Sequence, residues 1–169
     1  MATTSRNTAY KSQSIDSLVS ELNCDNRIKC LIARRALEAK GQDAIPALVE
    51  TLKNGEEMAP MHAAKALGHI GGPEAIQALV NALCNDRSGV RWAAAEALIE
   101  RIPESVKPVL RALISSNNSS FVREGAHRVL SEIEEEPMKS VLAPVVQALE
   151  DGVPELEAPL QAKKALDTL

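Results

Sequence analysis

Aromatic side chains are almost missing from this chain, with one Trp, one Tyr and one Phe among 169 residues. Three rings give no platform on which successive bases can stack, so single-stranded nucleic acid is disfavoured as a partner. A net charge of −4 disfavours nonspecific binding to nucleic acid of any kind. Cysteine is scarce too. Cys24, Cys30 and Cys84 are odd in number and without CxxC spacing, which argues against a disulfide framework or a structural zinc site. They read as small, reduced hydrophobes. No apolar run is long enough to cross a bilayer, and the opening MATTSRNTAYKSQS lacks the apolar core of a signal peptide. The expectation is therefore a cytoplasmic protein with no membrane partner.

Catalytic constellations are also lacking. There is no glycine-rich phosphate loop, no Gly-x-Ser-x-Gly elbow and no paired-carboxylate arrangement. His62 and His69 lie seven apart on one predicted helix and His127 stands alone, but no acidic or cysteine ligand is spaced to complete a site with them. No catalytic residue, metal or cofactor is expected.

What the chain has in quantity is aliphatic residues and alanine, set at helical spacing. Ile76, Leu79, Val80 and Leu83 fall at i, i+3, i+4 and i+7, one stripe of a helix with 3.6 residues per turn. A polar turn of Asn85, Asp86, Arg87 and Ser88 follows. A second stripe then runs through Val90, Ala94, Ala97, Leu98 and Ile102. Helices this short are marginal alone in water, so each must bury its stripe on neighbours. Copies of the pair supply those neighbours. The last residues of the first stripes are Leu22, Leu52, Leu83, Leu113 and Leu149, at steps of 30, 31, 30 and 36 residues. A small residue before Leu marks the second helices at Leu37, Leu67, Leu98, Leu130 and Leu166, with Val129 in the small position once. Five two-helix units at one period predict an all-α fold of the α-solenoid type.

The run Asp86, Val90-Arg91, Ala93, Ala94, Ala97-Leu98 resembles a HEAT repeat of the short, Ala-rich kind found in phycobilisome bilin lyases and many bacterial HEAT proteins. The likeness spans residues 14–169 and is strongest in the third unit. It implies a right-handed superhelix with helix A outside and helix B lining a concave side. It also implies that Asp86, Arg91 and the equivalent Arg123 tie adjacent repeats together. The di-iron hydroxylases of this fold depend on His-Glu pairs, whereas here the histidines precede Ala63, Ile70 and Arg128, which argues against that chemistry.

In chain order, residues 1–13 read as a disordered tail and residues 14–169 as one repeat domain, with units at 14–41, 42–71, 72–102, 103–133 and 137–169. Ser14 and Asp43 are expected helix N-caps, and Asp86 and Ser88 are expected to cap the second helix of the third unit. Pro46 and Pro60 suit first helical turns, and Gly41 and Gly71-Gly72 suit helix ends. The turn of Ser115 to Ser120 reads as a flexible tip. Glu134 to Glu136 read as a solvated connection. Pro154 and Pro159 are expected to interrupt the fifth unit, a terminal cap.

Function in such a scaffold sits on the face that the core leaves free. Six residues before each marker Leu of helix B stand Leu31, Met61, Trp92, Glu124 and Leu160, a mostly apolar column. Three and two before stand Arg34-Arg35, Ala64-Lys65, Ala95-Glu96, His127-Arg128 and Lys163-Lys164, a basic column in an acidic protein. The candidate groove is thus Leu31, Arg34, Arg35, Met61, Lys65, Trp92, Glu96, His127, Arg128, Lys163 and Lys164, with Trp92 as its anchor. It suits an acidic or amphipathic protein segment, and the expected role is a non-enzymatic interaction scaffold. By resemblance alone, the alternative is a bilin lyase-like or chromophore-handling subunit, with a bilin as ligand.

Overall fold

A computed structural model describes residues 12–23, 26–115, 119–151 and 153–169. Most of the proposed tail, with Cys24, Asp25 and the centre of the Ser115–Ser120 turn, lies outside the described residues. Among those described, every regular element is a helix. These are α1 (Ile15–Ser20), α2 (Arg27–Lys40), a 3-10 turn (Gly41–Ala44), α3 (Ile45–Asn54), α4 (Ala59–Ile70), α5 (Pro73–Ala82), α6 (Ser88–Ile99), α7 (Val106–Ser115), α8 (Ser120–Ser131), α9 (Met138–Glu150) and α10 (Pro154–Thr168). Each predicted unit holds one pair of them. The contacts gather into two compact units, residues 1–78 and 79–169.

In the first unit α1 packs on α2 and α3, α3 packs on α4, and α2 packs on α4, so first helices meet first helices and second helices meet second helices. The predicted stripes form the core: Leu18, Leu22, Leu37, Ile45, Leu48 and Leu67 have no exposed surface. Ser14 caps α1 through its hydroxyl, which accepts from Ser17 N at 3.2 Å. Asn26 does the same for α2. Asp43 is not a cap: it falls inside the 3-10 turn, and α3 starts after Ala44 with Pro46 in its first turn. Gly41 and Gly71 end α2 and α4 at φ of 59° and 71°, a region where a side chain is strained.

In the second unit α6 packs on α8, and α7 packs on α8. Leu79, Leu83, Leu98, Leu110 and Leu130 fill the core. Buried Ser105 donates to Leu98 O at 2.8 Å, so its hydroxyl is satisfied. Two capping expectations fail here. Arg87 is the N-cap of α6 but its side chain makes no capping bond, and it is Asn85 whose Oδ1 folds the turn by accepting from Arg87 N at 3.0 Å. Glu136 is more than a solvated connection. It accepts from Ser140 N at 3.2 Å and Ser140 Oγ at 2.7 Å at the start of α9, which holds its carboxyl below the usual range.

The fifth pair departs from the pattern. Its first helix, α9, packs on α8, a second helix; its second helix, α10, packs on α7, a first helix. The order of layers is exchanged. Ala158, Ala162 and Ala165 are the buried face of α10, and small residues let it lie close to its neighbours. Prolines do not break it: Pro154 starts α10, and the helix continues through Pro159.

Candidate functional site

The columns read from sequence fall on surfaces of different chemistry. In the first unit α2 brings Leu31, Arg34 and Arg35, and α4 brings Met61 and Lys65. Leu31 and Arg35 are exposed, while Arg34, Met61 and Lys65 are half-buried. Arg34 Nε lies 3.1 Å from Glu38 Oε1, and the same oxygen is 3.0 Å from His69 Nδ1, so one carboxylate joins α2 to α4. His62 sits beside this cluster. Burial, followed by the positive charges of Arg34 and Lys65, pushes its pKa below the usual histidine value.

In the second unit α6 and α8 bound a cleft of about 640 Å³, with Arg91, Trp92, Phe121, Glu124, Gly125 and Arg128 on its walls. Trp92 is 46% exposed and Phe121 39%. Each ring carries an arginine: Arg91 Cζ stands 4.0 Å from the Phe121 centroid and Arg128 Cζ 5.5 Å from that of Trp92, both within cation–π reach. Arg128 is held by Glu96, with Nε at 3.0 Å and Nη2 at 2.6 Å from one oxygen. Arg91 Nη1 donates to the backbone carbonyls of Asn85 at 2.9 Å and Asp86 at 3.0 Å.

Close packing under the cleft depends on Gly125. A Cβ there would fall 2.8 Å from Leu83 Cδ2 and 3.2 Å from Leu83 Cγ. Leu83 is fully buried and has little room to withdraw. Gly125 is thus the residue that lets α8 settle on the core while its outer face keeps the cleft open.

Several side chains assigned to a basic flank are committed within the unit. Arg128 pairs with Glu96, and His127 Nε2 lies 2.9 Å from Glu150 Oε1. Leu160, Lys163 and Lys164 are exposed on α10, and it is α9, not α10, that follows α8. These three positions therefore do not extend the surface of α6 and α8, because the exchanged layers turn the alanine face of α10 inward instead. The expected ties between repeats also differ in detail. Asp86 contributes its backbone carbonyl rather than its carboxylate, Arg91 reaches the next pair by covering Phe121, and Arg123 Nη2 donates to Glu155 Oε1 at 2.8 Å.

Phe121, Glu38, His69, Glu150 and Glu155 were absent from the sequence columns. Phe121 had a signal: it lies three residues before Glu124, on the same helical face and one turn further from the marker Leu130. The partner carboxylates had none, since their distances depend on how helices stack.

Comparison with protein families matches the model for HEAT repeats over residues 15–99. The chain belongs to the HEAT-repeat family. The match takes in the first three helix pairs, and the same stripe spacing carries on through the fourth. HEAT repeats generally act as scaffolds for protein interaction. No curated protein matches the chain. Among the described residues, no helix is long and apolar enough to cross a membrane.

Proposed function

We propose that this HEAT-repeat protein is a non-enzymatic interaction scaffold whose α6/α8 cleft seats an amphipathic segment of a partner protein. The observation that carries the reading is the pair of half-exposed rings, Trp92 and Phe121, bracketing one cleft in a chain with almost no other aromatics. Tryptophan is enriched among the residues that dominate binding energy, and an open aromatic pocket on a rigid helical wall suits an apolar side chain entering from outside. Arg91 supports an acidic residue beside that side chain, because its hydrogen bonds go to neutral carbonyls and leave its charge available to a carboxylate. Glu124 on the other helix limits how acidic the segment is. The reading calls for no cofactor.

Trp92 is the single tryptophan of the chain, so its emission reports on the cleft directly. The test is capture of partners from the native lysate on wild-type protein and on Trp92→Ala and Phe121→Ala, followed by calorimetric titration of all three with the purified partner and fluorescence titration of the two that keep Trp92. A partner that shifts Trp92 emission and binds each variant at least about 30-fold more weakly supports the cleft. A partner indifferent to both substitutions overturns it. The chromophore-handling alternative rests on the likeness of the repeat motif, and bilin absorbance in the captured material would favour it over a colourless protein partner.

A further inference from the structure

The most exposed apolar side chains of the second unit lie outside the α6/α8 cleft, on α10. Val153, Leu156 and Leu160 are 49%, 72% and 54% exposed. Leu156 and Leu160, four residues apart, share one side of the helix, opposite the buried Ala158, Ala162 and Ala165, and Val153 is the N-cap just before it. Glu157, Lys163, Lys164 and Asp167 share that outer side and are exposed. A contiguous apolar stripe bordered by charges marks a contact surface.

From the order of charges along this stripe we infer that α10 is the self-association surface of the protein and that its occupant is α10 of a second copy, running antiparallel with Leu160 at the twofold axis. A twofold interface must be complementary to itself. With Leu160 facing Leu160, the residue three before it faces the residue three after it, so Glu157 of each copy meets Lys163 of the other. One turn out, Leu156 meets Lys164, whose methylene stem covers the leucine while its ammonium turns toward the neighbouring Glu157. A parallel pairing in register would instead set Glu157 against Glu157 and Lys163 against Lys163. Charge order thus selects the antiparallel arrangement. Glu155 takes no part, being held by Arg123 at 2.8 Å.

One pair of helices of this length buries less than the roughly 1,200 Å² of a standard stable interface, so the expected dimer is of the weak, reversible class. Sedimentation velocity of the full chain, from about 1 μM to about 500 μM at low salt, should show a monomer giving way to a dimer. Leu160→Glu places two carboxylates at the axis and should weaken association at least tenfold. Because Leu160 is exposed, the variant should keep the helical circular dichroism and unfolding midpoint of the wild type. E157K and K163E should each weaken self-association to a similar degree by bringing like charges together. Mixed in equal amounts, they should associate again to within about threefold of wild type, since both cross-pairs are then opposite in sign. A wild-type chain that stays monomeric throughout would overturn the inference. So would a dimer unmoved by Leu160→Glu, or charge variants no better mixed than alone.

Discussion

Five residues before the buried leucine of helix B, the first unit has His62 and the second has Gly125. Six before, the same units have Met61 and Glu124, with Leu31 and Trp92 on the helices alongside. The leucines they count back from, Leu67 and Leu130, are both buried. Repeat spacing therefore fixes the core and leaves the outer register free to diverge. On α2 and α4 the outer face is drawn together by Glu38 between Arg34 and His69, with His62 half-buried beside them. On α6 and α8, where Gly125 takes the histidine's place, the face opens into a cleft with two rings. A repeat protein diversifies its surface by changing what stands above a common core.

If the core is common to both, truncating it should give the largest loss in either unit. Leu67→Ala and Leu98→Ala should each cost about 2–5 kcal/mol in chemical denaturation, through lost burial and the cavity left behind. Leu166→Ala, at the equivalent place on α10 but half-exposed, should cost less. Equal losses at all three positions would mean that burial does not order the repeats. At the divergent register the units should respond with opposite sign. Gly125→Ala sets a methyl against Leu83, an overpacking of about 1–3 kcal/mol. The gain in helix propensity offsets about 1 kcal/mol of that, leaving a net loss. His62→Ala removes a ring whose Nδ1 is buried without a hydrogen-bond partner, and should be neutral or mildly stabilising. Thermal unfolding of the two variants side by side reads the difference.

The common core was legible in the sequence because apolar spacing at i, i+3, i+4 and i+7 recurs five times, and most of the stripe from Leu18 to Leu142 is buried where that spacing puts it, with Val19, Val49 and Ile102 half-buried. Trp92 was legible as an exposed side chain for the same reason: it falls off the stripe. The exchange of layers by α9 and α10 was not. Both helices carry acceptable stripes, and the outcome turns on the alanine face of α10 being the one that goes inside. Nor was the pairing of Arg128 with Glu96 legible. A count along one helix shows charge but not what lies opposite on the next, so a column read as basic is in part a set of internal ion pairs.

Acid should separate the two faces next. His62 has its pKa lowered in the folded protein by burial and by Arg34 and Lys65, while in the unfolded chain it titrates near about 6.5. As pH falls below that value the unfolded state takes up a proton that the folded state resists, so stability declines until pH passes the folded pKa. The contribution is intact above the ordinary histidine range and lost through it. His62→Gln should flatten the fall in unfolding free energy over that window without changing stability at pH 8. An unchanged slope would show that another group governs it.

The smallest effect concerns the ion pairs. Arg34 and Glu38 are 15% and 20% exposed, whereas Arg128 and Glu96 are 44% and 37% exposed. Exposed pairs are worth about 0.2–1 kcal/mol and are screened by salt. Double-mutant cycles should therefore give Arg34–Glu38 the larger coupling, and 0.5 M NaCl should erase that of Arg128–Glu96 first. Reversed couplings would mean that the Arg–Glu link between α6 and α8 is strong enough to keep Arg128 in place. A weak link has the opposite consequence. Under the proposed binding, a segment entering beside Trp92 draws Arg128 away from Glu96 at little cost, which frees the guanidinium for a carboxylate of the segment.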